Sequence, residues 1–579
     1  MHDRKQIESM YYLSPLQEGL LFHRVAEGAT DPYFCHYGFL LEGALEYDAF
    51  VKAWQRAVDR HPILRTGFAW EGVEKPLQIV QRTATLPIHR HDWRGLPVSE
   101  RRGAVDALLH RDRLEGFDFL QPPLMRLHLI AVADNTWYLF NSHHHILLDG
   151  WSVALLLKEV VTEYESLRQG HQLKITPPPP YRDYIAWLSK QDRQAAEQFW
   201  RTSLTGIRTP TALPLDSSQE LEPDGQLLYA EQEIVLSVRQ RDAVRIFAQR
   251  HRLTINTVVQ GAWATLLSRY SGEREVLFGS TVSGRPAELA DSDTMIGLFI
   301  NTMPVRVSLP AEMNVRAWLQ ALQEQNSAIR QYEWTPLSSI QRWSEIPAGR
   351  PMFDTIVVFE SFPEDESTGQ QQGVRINPLS LREKGAYTLT AGRNNYPLSL
   401  MVEPGAELRL ILCYARRRFS HGDISHMFRH YVTLLDHIVS DDDRRLADLS
   451  ILEGEERRLV LSQGVASPPP ESSSSCIHDL FERWVLMHPE NIAVMYEGQA
   501  LTGRELDAKA NRLASYLRTV GVGPEVLVGL CMERSLDLIV GLLAVLKAGG
   551  GYVPLDPKLP ADRVSFMLKD SDARVVLTQ

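Results

Sequence analysis

The stretch GVASPPPESSSS, Gly464 to Ser475, breaks the chain in two. Its prolines lack backbone donors and its serines bring no apolar surface, so it cannot lie within a core. A fold must therefore be sought separately on each side, in a long region before it and a short one after it. The long region exceeds the roughly 250–300 residues that a single core organises, so more than one lobe is expected there. KITPPPPY (Lys174 to Tyr181) reads as a stiff extended connector within it.

Periodicity gives the fold class. Thr136 to Ser142 (TWYLFNS) reads as a strand. After Gly150, apolar residues recur at Val153, Leu156, Leu157, Val160, Val161, Tyr164 and Leu167, which is helical spacing with Ser152 as the expected N-cap. INTVVQGAWATLLSRYSG followed by EVLFGSTVSGRP repeats helix then strand, so the class is mixed α/β. TALPLDSSQELEPDGQ and FPEDESTGQQQG read as surface loops.

Composition narrows the function classes. With 44% hydrophobic and 23% charged residues the chain has an ordinary globular composition, and a net charge of −11 weighs against a nucleic-acid or anionic-membrane partner. Cys35, Cys413, Cys476 and Cys531 form no CxxC pair, which argues against a disulfide framework or a zinc site and for a reducing cytoplasm. MHDRKQIESMYY carries no apolar signal core. LDLIVGLLAVLKAGG is too short to span a bilayer and reads as a buried helix.

Chemistry concentrates in NSHHHILLDGWS, residues 141–152, on the loop between that strand and helix. Three readings stand side by side. The histidines can be structural or solvated. His143, His144, His145 and Asp149 can be considered as metal ligands, although neither a HExxH helix nor a thiolate accompanies them. A neutral imidazole can also serve acyl transfer by accepting a proton from an attacking amine. Gly150 permits a tight turn, and no Ser or Cys nucleophile elbow is attached. Acyl transfer here would be direct, without a covalent acyl-enzyme.

HHILLDG, His144 to Gly150, resembles the HHxxxDG signature of nonribosomal peptide synthetase condensation domains. LSPLQEGLLFH (Leu13 to His23), RHPILRTGF (Arg60 to Phe68), YRDYIAWL (Tyr181 to Leu188), IGLFINTMPVR (Ile296 to Arg306), YEWTPL (Tyr332 to Leu337) and RNNYPLSL (Arg393 to Leu400) resemble the family's other motifs, in the family's order. The resemblance implies two chloramphenicol-acetyltransferase-like lobes in a V-shaped pseudo-dimer, with a tunnel between them; the connector after Lys174 falls where they join, which gives expected bounds of 1–175 and 176–455 for the lobes, 456–475 for a linker and 476–579 for a further segment. It implies that an acceptor amine attacks a donor thioester, each substrate carried on the phosphopantetheine of a partner carrier protein, upstream donor and downstream acceptor. No permanently bound cofactor, metal, nucleic acid or membrane is implied.

By the same resemblance His145 is the catalytic position, and the Gly150 amide lies near the thioester carbonyl. His144, Asp149, Arg285 and Arg65 support the site, with Arg285 the expected ion-pair partner of Asp149. Trp151, Asn301 and Asn395 are the candidate tunnel residues, buried structural amides being the plainer reading of the two asparagines. Tyr181, Tyr184 and Trp187 are most simply core. DGWS, the SPLQEGLLFH opening and FDTIVVFESFP (Phe353 to Pro363) resemble the branch that joins a D-configured donor to an L-configured acceptor. Arg24, and Thr30 before Asp31, depart from the second histidine motif of the dual epimerization–condensation branch.

After the linker, LTGRELDAKANRLA and LKAGGGYVPLDP resemble the opening of an adenylation domain, although Gly503 stands where tyrosine is usual. The family's phosphate-binding loop and catalytic lysine lie beyond this stretch. Amino-acid activation is therefore not expected, and the rest of that domain is expected in a parent chain. If Met1 is the natural start, MHDRKQIES is expected to dock a separate donor protein. The alternatives are a stand-alone acyltransferase of the same superfamily, an epimerization domain, and a non-catalytic recruitment domain.

Overall fold

The computed structural model describes residues 6–27, 33–171, 178–213, 229–360, 374–378, 396–464 and 476–579. The chain forms two compact units, Met1–Gly454 and Glu455–Gln579.

The first unit is built around two sheets. One has the strand order Arg375–Pro378, Phe34–Glu42, Thr136–His144, Met125–Ala133, Ile88–Asp92. The strand Thr136–His144 pairs antiparallel with Phe34–Glu42 on one side and Met125–Ala133 on the other. The two-residue period of a strand separates its faces. Leu41, Leu127, Leu129 and Leu139 enter a core with Phe50, Trp54, Leu156 and Val160. Ile130, Val132 and Phe140 meet Val105, Leu108 and Leu109 of the helix Val98–Glu115 on the opposite face. With both faces covered and both edges paired, the end of Thr136–His144 is a rigid support for the loop that follows.

The other sheet has the order Asn301–Ser308, Glu275–Val282, Thr355–Phe359, Leu398–Glu403, Arg409–Ala415, Tyr229–Val235. Its core includes Trp263 from the helix Ile255–Ser271, Trp318 and Leu319 from Val315–Arg330, and Phe428 and Tyr431 from His421–Ser440.

The two cores do not part at the connector. Tyr181, Tyr184, Met295, Ile296, Leu298, Phe299 and Val374 all complete the first core, and the strand Arg375–Pro378 forms the edge of its sheet. The first lobe therefore covers its apolar surface with chain from beyond residue 176.

The helix Gly150–Arg168 follows the histidine loop, and its N-cap is Asp149 rather than Ser152. The Asp149 carboxylate accepts the Ser152 backbone N–H at 2.8 Å, which meets an otherwise unsatisfied first-turn donor. Ser152 thereby lies inside the first turn, its hydroxyl free for other bonds.

A helix, Gly454–Gly464, occupies the first part of the segment expected as linker; 465–475 lie outside the described residues. In the second unit, Thr502 and Glu505 form a capping box on the helix Gly503–Thr519, whose Leu506, Ala510 and Leu517 are buried. The strands Gly551–Leu555, Leu527–Cys531 and Val575–Thr578 pair in parallel around the helix Leu536–Ala548. No described helix is long and apolar enough to cross a membrane.

Candidate active site

The three histidines occupy different environments. His143 is buried and stacks on Tyr37, ring centroids 5.5 Å apart at 12°. Burial holds its imidazole well below the ordinary histidine range. His144 is also buried; its Nδ1 accepts the Ile146 backbone N–H at 3.0 Å, and its ring meets Phe119 edge-on at 4.7 Å. It is a fastener of the loop.

His145 alone of the three keeps accessible surface. Its backbone N–H donates to the Tyr33 carbonyl at 2.9 Å, which fixes the main chain. Its Nδ1 lies 2.8 Å from the Leu148 carbonyl. A carbonyl can only accept, so Nδ1 carries the hydrogen and Nε2 presents a lone pair. Burial lowers the imidazole's proton affinity, and the nearby Asp149 charge opposes this only in part. The ring is thus held neutral near pH 7, in one tautomer and one orientation.

Asp149 closes the loop. Its Oδ2 accepts the Phe299 backbone N–H at 2.9 Å, and its Oδ1 lies 3.3 Å from Arg285 Nη2. The two side chains are 0% and 5% exposed, so the pair is desolvated. Arg285 is itself fixed: Nη1 donates to the Ser292 and Met295 carbonyls at 2.5 and 2.9 Å, and Nη2 donates to Ser152 Oγ at 2.8 Å. Its guanidinium lies 4.1 Å over the Phe299 ring. Ser152 Oγ donates to the Gly297 carbonyl at 2.7 Å and accepts the Gly297 N–H at 3.1 Å. Loop, helix and the 285–299 segment are therefore tied through one side-chain network.

Two glycines allow this approach. Gly284 has φ +63°, and a Cβ there would lie 1.7 Å from the Phe299 carbonyl oxygen. A Cβ on Gly297 would lie 2.2 Å from Tyr181 Cδ2, while the Tyr181 hydroxyl donates to the Leu298 carbonyl at 2.5 Å. Gly284→Ala is expected to lower stability by at least about 2 kcal/mol, combining overpacking with a left-handed backbone. Urea unfolding measures this, and an unchanged midpoint would refute it.

Trp151 covers the network from outside. Its Nε1–H donates to the Asp293 carbonyl at 3.0 Å, and Arg285 lies 5.6 Å from its ring. With Ser283, Arg285 and Ser292 it lines a cavity of about 390 Å³. Gly150 is the first residue of the helix, so its N–H has no intrahelical acceptor.

Arg65 sits elsewhere. It donates to Glu8 at 2.6 Å and to the carbonyls of Val58, Gln81 and Arg82, none of which belongs to the histidine loop. Asn301 Nδ2 donates to the Glu333 and Thr335 carbonyls, both at 2.8 Å, and so pins that turn. Asn395 lies outside the described residues. Among the described residues, the one group of three or more with ligand atoms close enough for a single ion is Cys476, His478 and Asp479 in the second unit.

Sequence reasoning did not find Ser152 Oγ, the Leu148 carbonyl, the Phe299 N–H or Tyr37. The IGLFINTMPVR motif marked the right segment. Backbone donors have no letter of their own, however, and nothing in the spacing shows which hydroxyl bridges two segments.

Comparison with known proteins places these features. Residues 7–461 match the profile described as "Condensation domain", and residues 481–579 match "AMP-binding enzyme". One of the linear gramicidin synthase proteins of Brevibacillus parabrevis is 42% identical over 574 residues, 99% of this chain and 11% of that protein. The chain spans about a tenth of the length of the curated relatives it first matches. Among solved structures, holo-AB3403, a four domain nonribosomal peptide synthetase bound to AMP and glycine, superposes with a TM-score of 0.64 at 20% identity, over 99% of this chain and 44% of that one. The first condensation domain of the calcium-dependent antibiotic synthetase gives 0.63 at 17%, over 77% of this chain and 100% of that one.

Proposed function

Because this chain belongs to the condensation-domain family, followed by the opening of an AMP-binding domain, we propose that it forms amide bonds in nonribosomal peptide synthesis. An acceptor amine attacks the thioester of a donor acyl group, both presented on the phosphopantetheine arms of carrier proteins. The observation that carries this reading is His145: accessible, neutral, and fixed with Nε2 as an acceptor by the Nδ1–H bond to Leu148.

The chemistry follows from that atom. Nε2 accepts a hydrogen bond from the amine and orients its lone pair toward the thioester carbon. As the C–N bond forms, the nitrogen becomes acidic and passes a proton to Nε2. The C–S bond then breaks, and the imidazolium returns the proton to the departing thiolate. The Gly150 N–H and the helix N-terminus stand at the loop exit, where a partial positive charge suits the developing oxyanion. Asp149 does not touch the reacting atoms; it holds the loop and offsets the imidazolium that forms transiently. Supply of amino acid to the acceptor carrier falls to a complete adenylation domain, of which this chain carries the opening.

The donor is proposed to end in a D-configured residue, on the strength of the DGWS, SPLQEGLLFH and FDTIVVFESFP stretches. Donor carriers loaded with D- or L-terminated peptidyl groups, mixed with a loaded acceptor carrier and read by mass spectrometry, test both statements. Product from the D-donor alone is expected. Product from L-donors would overturn the stereochemical assignment and leave the reaction, and no product from any loaded donor would overturn the reaction.

A further inference from the structure

Four histidines that the scheme above does not use gather on one face of the first sheet. Along Met125–Ala133 the two-residue period sends Leu127 and Leu129 into the main core. It turns His128, with Ile130 and Val132, toward the helix Val98–Glu115. The edge strand Ile88–Asp92 pairs in parallel with Met125–Ala133 and sets His89 opposite His128. His91, two residues on, shares that face. His36, from Phe34–Glu42, reaches the same helix at Asp112, with Nε2 2.9 Å from Oδ2.

Asp112 anchors the group. Its side chain is 1% exposed, its Oδ1 accepts the Arg126 Nε–H, and Arg126 Nη2 donates to its carbonyl at 2.6 Å. His128 Nε2 lies 3.2 Å from the same Oδ1. A carboxylate oxygen only accepts, so it favours the hydrogen on Nε2 and leaves Nδ1 with its lone pair. That Nδ1 stands 3.3 Å from His91 Nε2. His128 is buried and His91 half-buried, so one nitrogen is held from behind while solvent still reaches the other ring.

That spacing has a chemical meaning. Two nitrogens bound to one tetrahedral Zn2+ at about 2.0–2.1 Å stand about 3.3–3.4 Å from each other. The His91–His128 pair has this bite. The carboxylate behind His128 is the outer partner that metal-bound imidazoles carry, fixing ring and tautomer. We propose that His91 Nε2 and His128 Nδ1 chelate a divalent ion that prefers imidazole nitrogen, with Zn2+ the ion whose geometry fits. Water completes its coordination. His89 stacks on His128, ring centroids 5.0 Å apart at 22°, and packs beside the chelate without joining it. An ion held there links the edge strand to its neighbour and favours the folded chain.

The test titrates Zn2+ alone into the full chain near neutral pH, read by calorimetry and by the unfolding temperature. The same titration of His478→Ala silences the Cys476, His478 and Asp479 group of the second unit. Both proteins are expected to bind the ion and to melt higher with it than without it. His91→Ala should weaken binding by at least about tenfold, the loss that removal of a mere outer partner already brings. It should also erase the zinc-dependent rise in melting temperature. His91 lies on the edge strand, so the metal-free variant is expected to melt with wild type, which separates a lost ligand from a lost fold. His89→Ala should bind as wild type does. With Cu2+ in place of Zn2+, the electron paramagnetic resonance spectrum of His478→Ala should show coupling to two imidazole nitrogens. Zinc uptake that vanishes in His478→Ala, or that persists undiminished in His91→Ala, would overturn the proposal. So would a wild type that binds no zinc, in which case the two rings only hydrogen-bond to each other.

Discussion

His145→Ala is expected to lower amide formation by about a hundredfold or more and to leave the protein folded. The two halves of this result have separate causes. Among the described residues the side chain makes one hydrogen bond, to the Leu148 carbonyl, and it keeps accessible surface. Its loss should cost about 1 kcal/mol, a few degrees in melting temperature at most. The reaction loses the only fixed, neutral imidazole nitrogen that the loop presents, because His143 stacks under Tyr37 and His144 Nδ1 is committed to Ile146. His144→Ala should invert the pattern, with a larger drop in stability than His145→Ala. Transfer by His145→Ala at the wild-type rate would remove this residue from the chemistry.

The second large effect runs the other way. Asp149→Ala is expected to destabilise the first unit by about 3–5 kcal/mol, because it strands the Arg285 guanidinium in a desolvated site. Loss of the N-cap bond to Ser152 adds about 1 kcal/mol, and the Phe299 N–H loses its acceptor. Against a total of roughly 5–15 kcal/mol this is a large share. Asp149→Asn keeps an oxygen that can cap the helix and should fall between the two. In the double variant Asp149→Ala/Arg285→Ala no charge is stranded, so its cost should be smaller than the sum of the single variants by about 1 kcal/mol or more. Denaturant unfolding of the four proteins measures the cycle. If Asp149→Ala unfolds with wild type yet transfers nothing, Asp149 acts on the chemistry directly and the scaffold role is wrong.

These variants separate residues that a motif groups together. HHILLDG places His144, His145, Asp149 and Gly150 within seven positions, and spacing alone ranks none above another. The ranking comes from burial and from which ring nitrogen meets a carbonyl. Arg65, expected as structural support or an ion-pair partner rather than a catalyst, pairs with Glu8 and holds the segment Pro62–Arg65 against the strand Leu77–Gln81. Proline runs show where chain leaves a core but not which core it re-enters, and Met295 to Phe299 re-enter the first.

Local patterns were enough for the strand before the histidine loop, the helix after it and the family motifs, because each depends on neighbours a few residues apart. The Asp149–Arg285 pair spans 136 positions, and Ser152 meets Gly297 across 145. Such contacts exist only once two lobes have packed. Packing also decides proton affinity, since the same imidazole is an ordinary base in water and a weaker one when enclosed. The chain therefore carries its chemistry's letters openly, while folding, by desolvation and by fixing one tautomer, leaves His145 Nε2 as the acceptor that the proposed reaction uses.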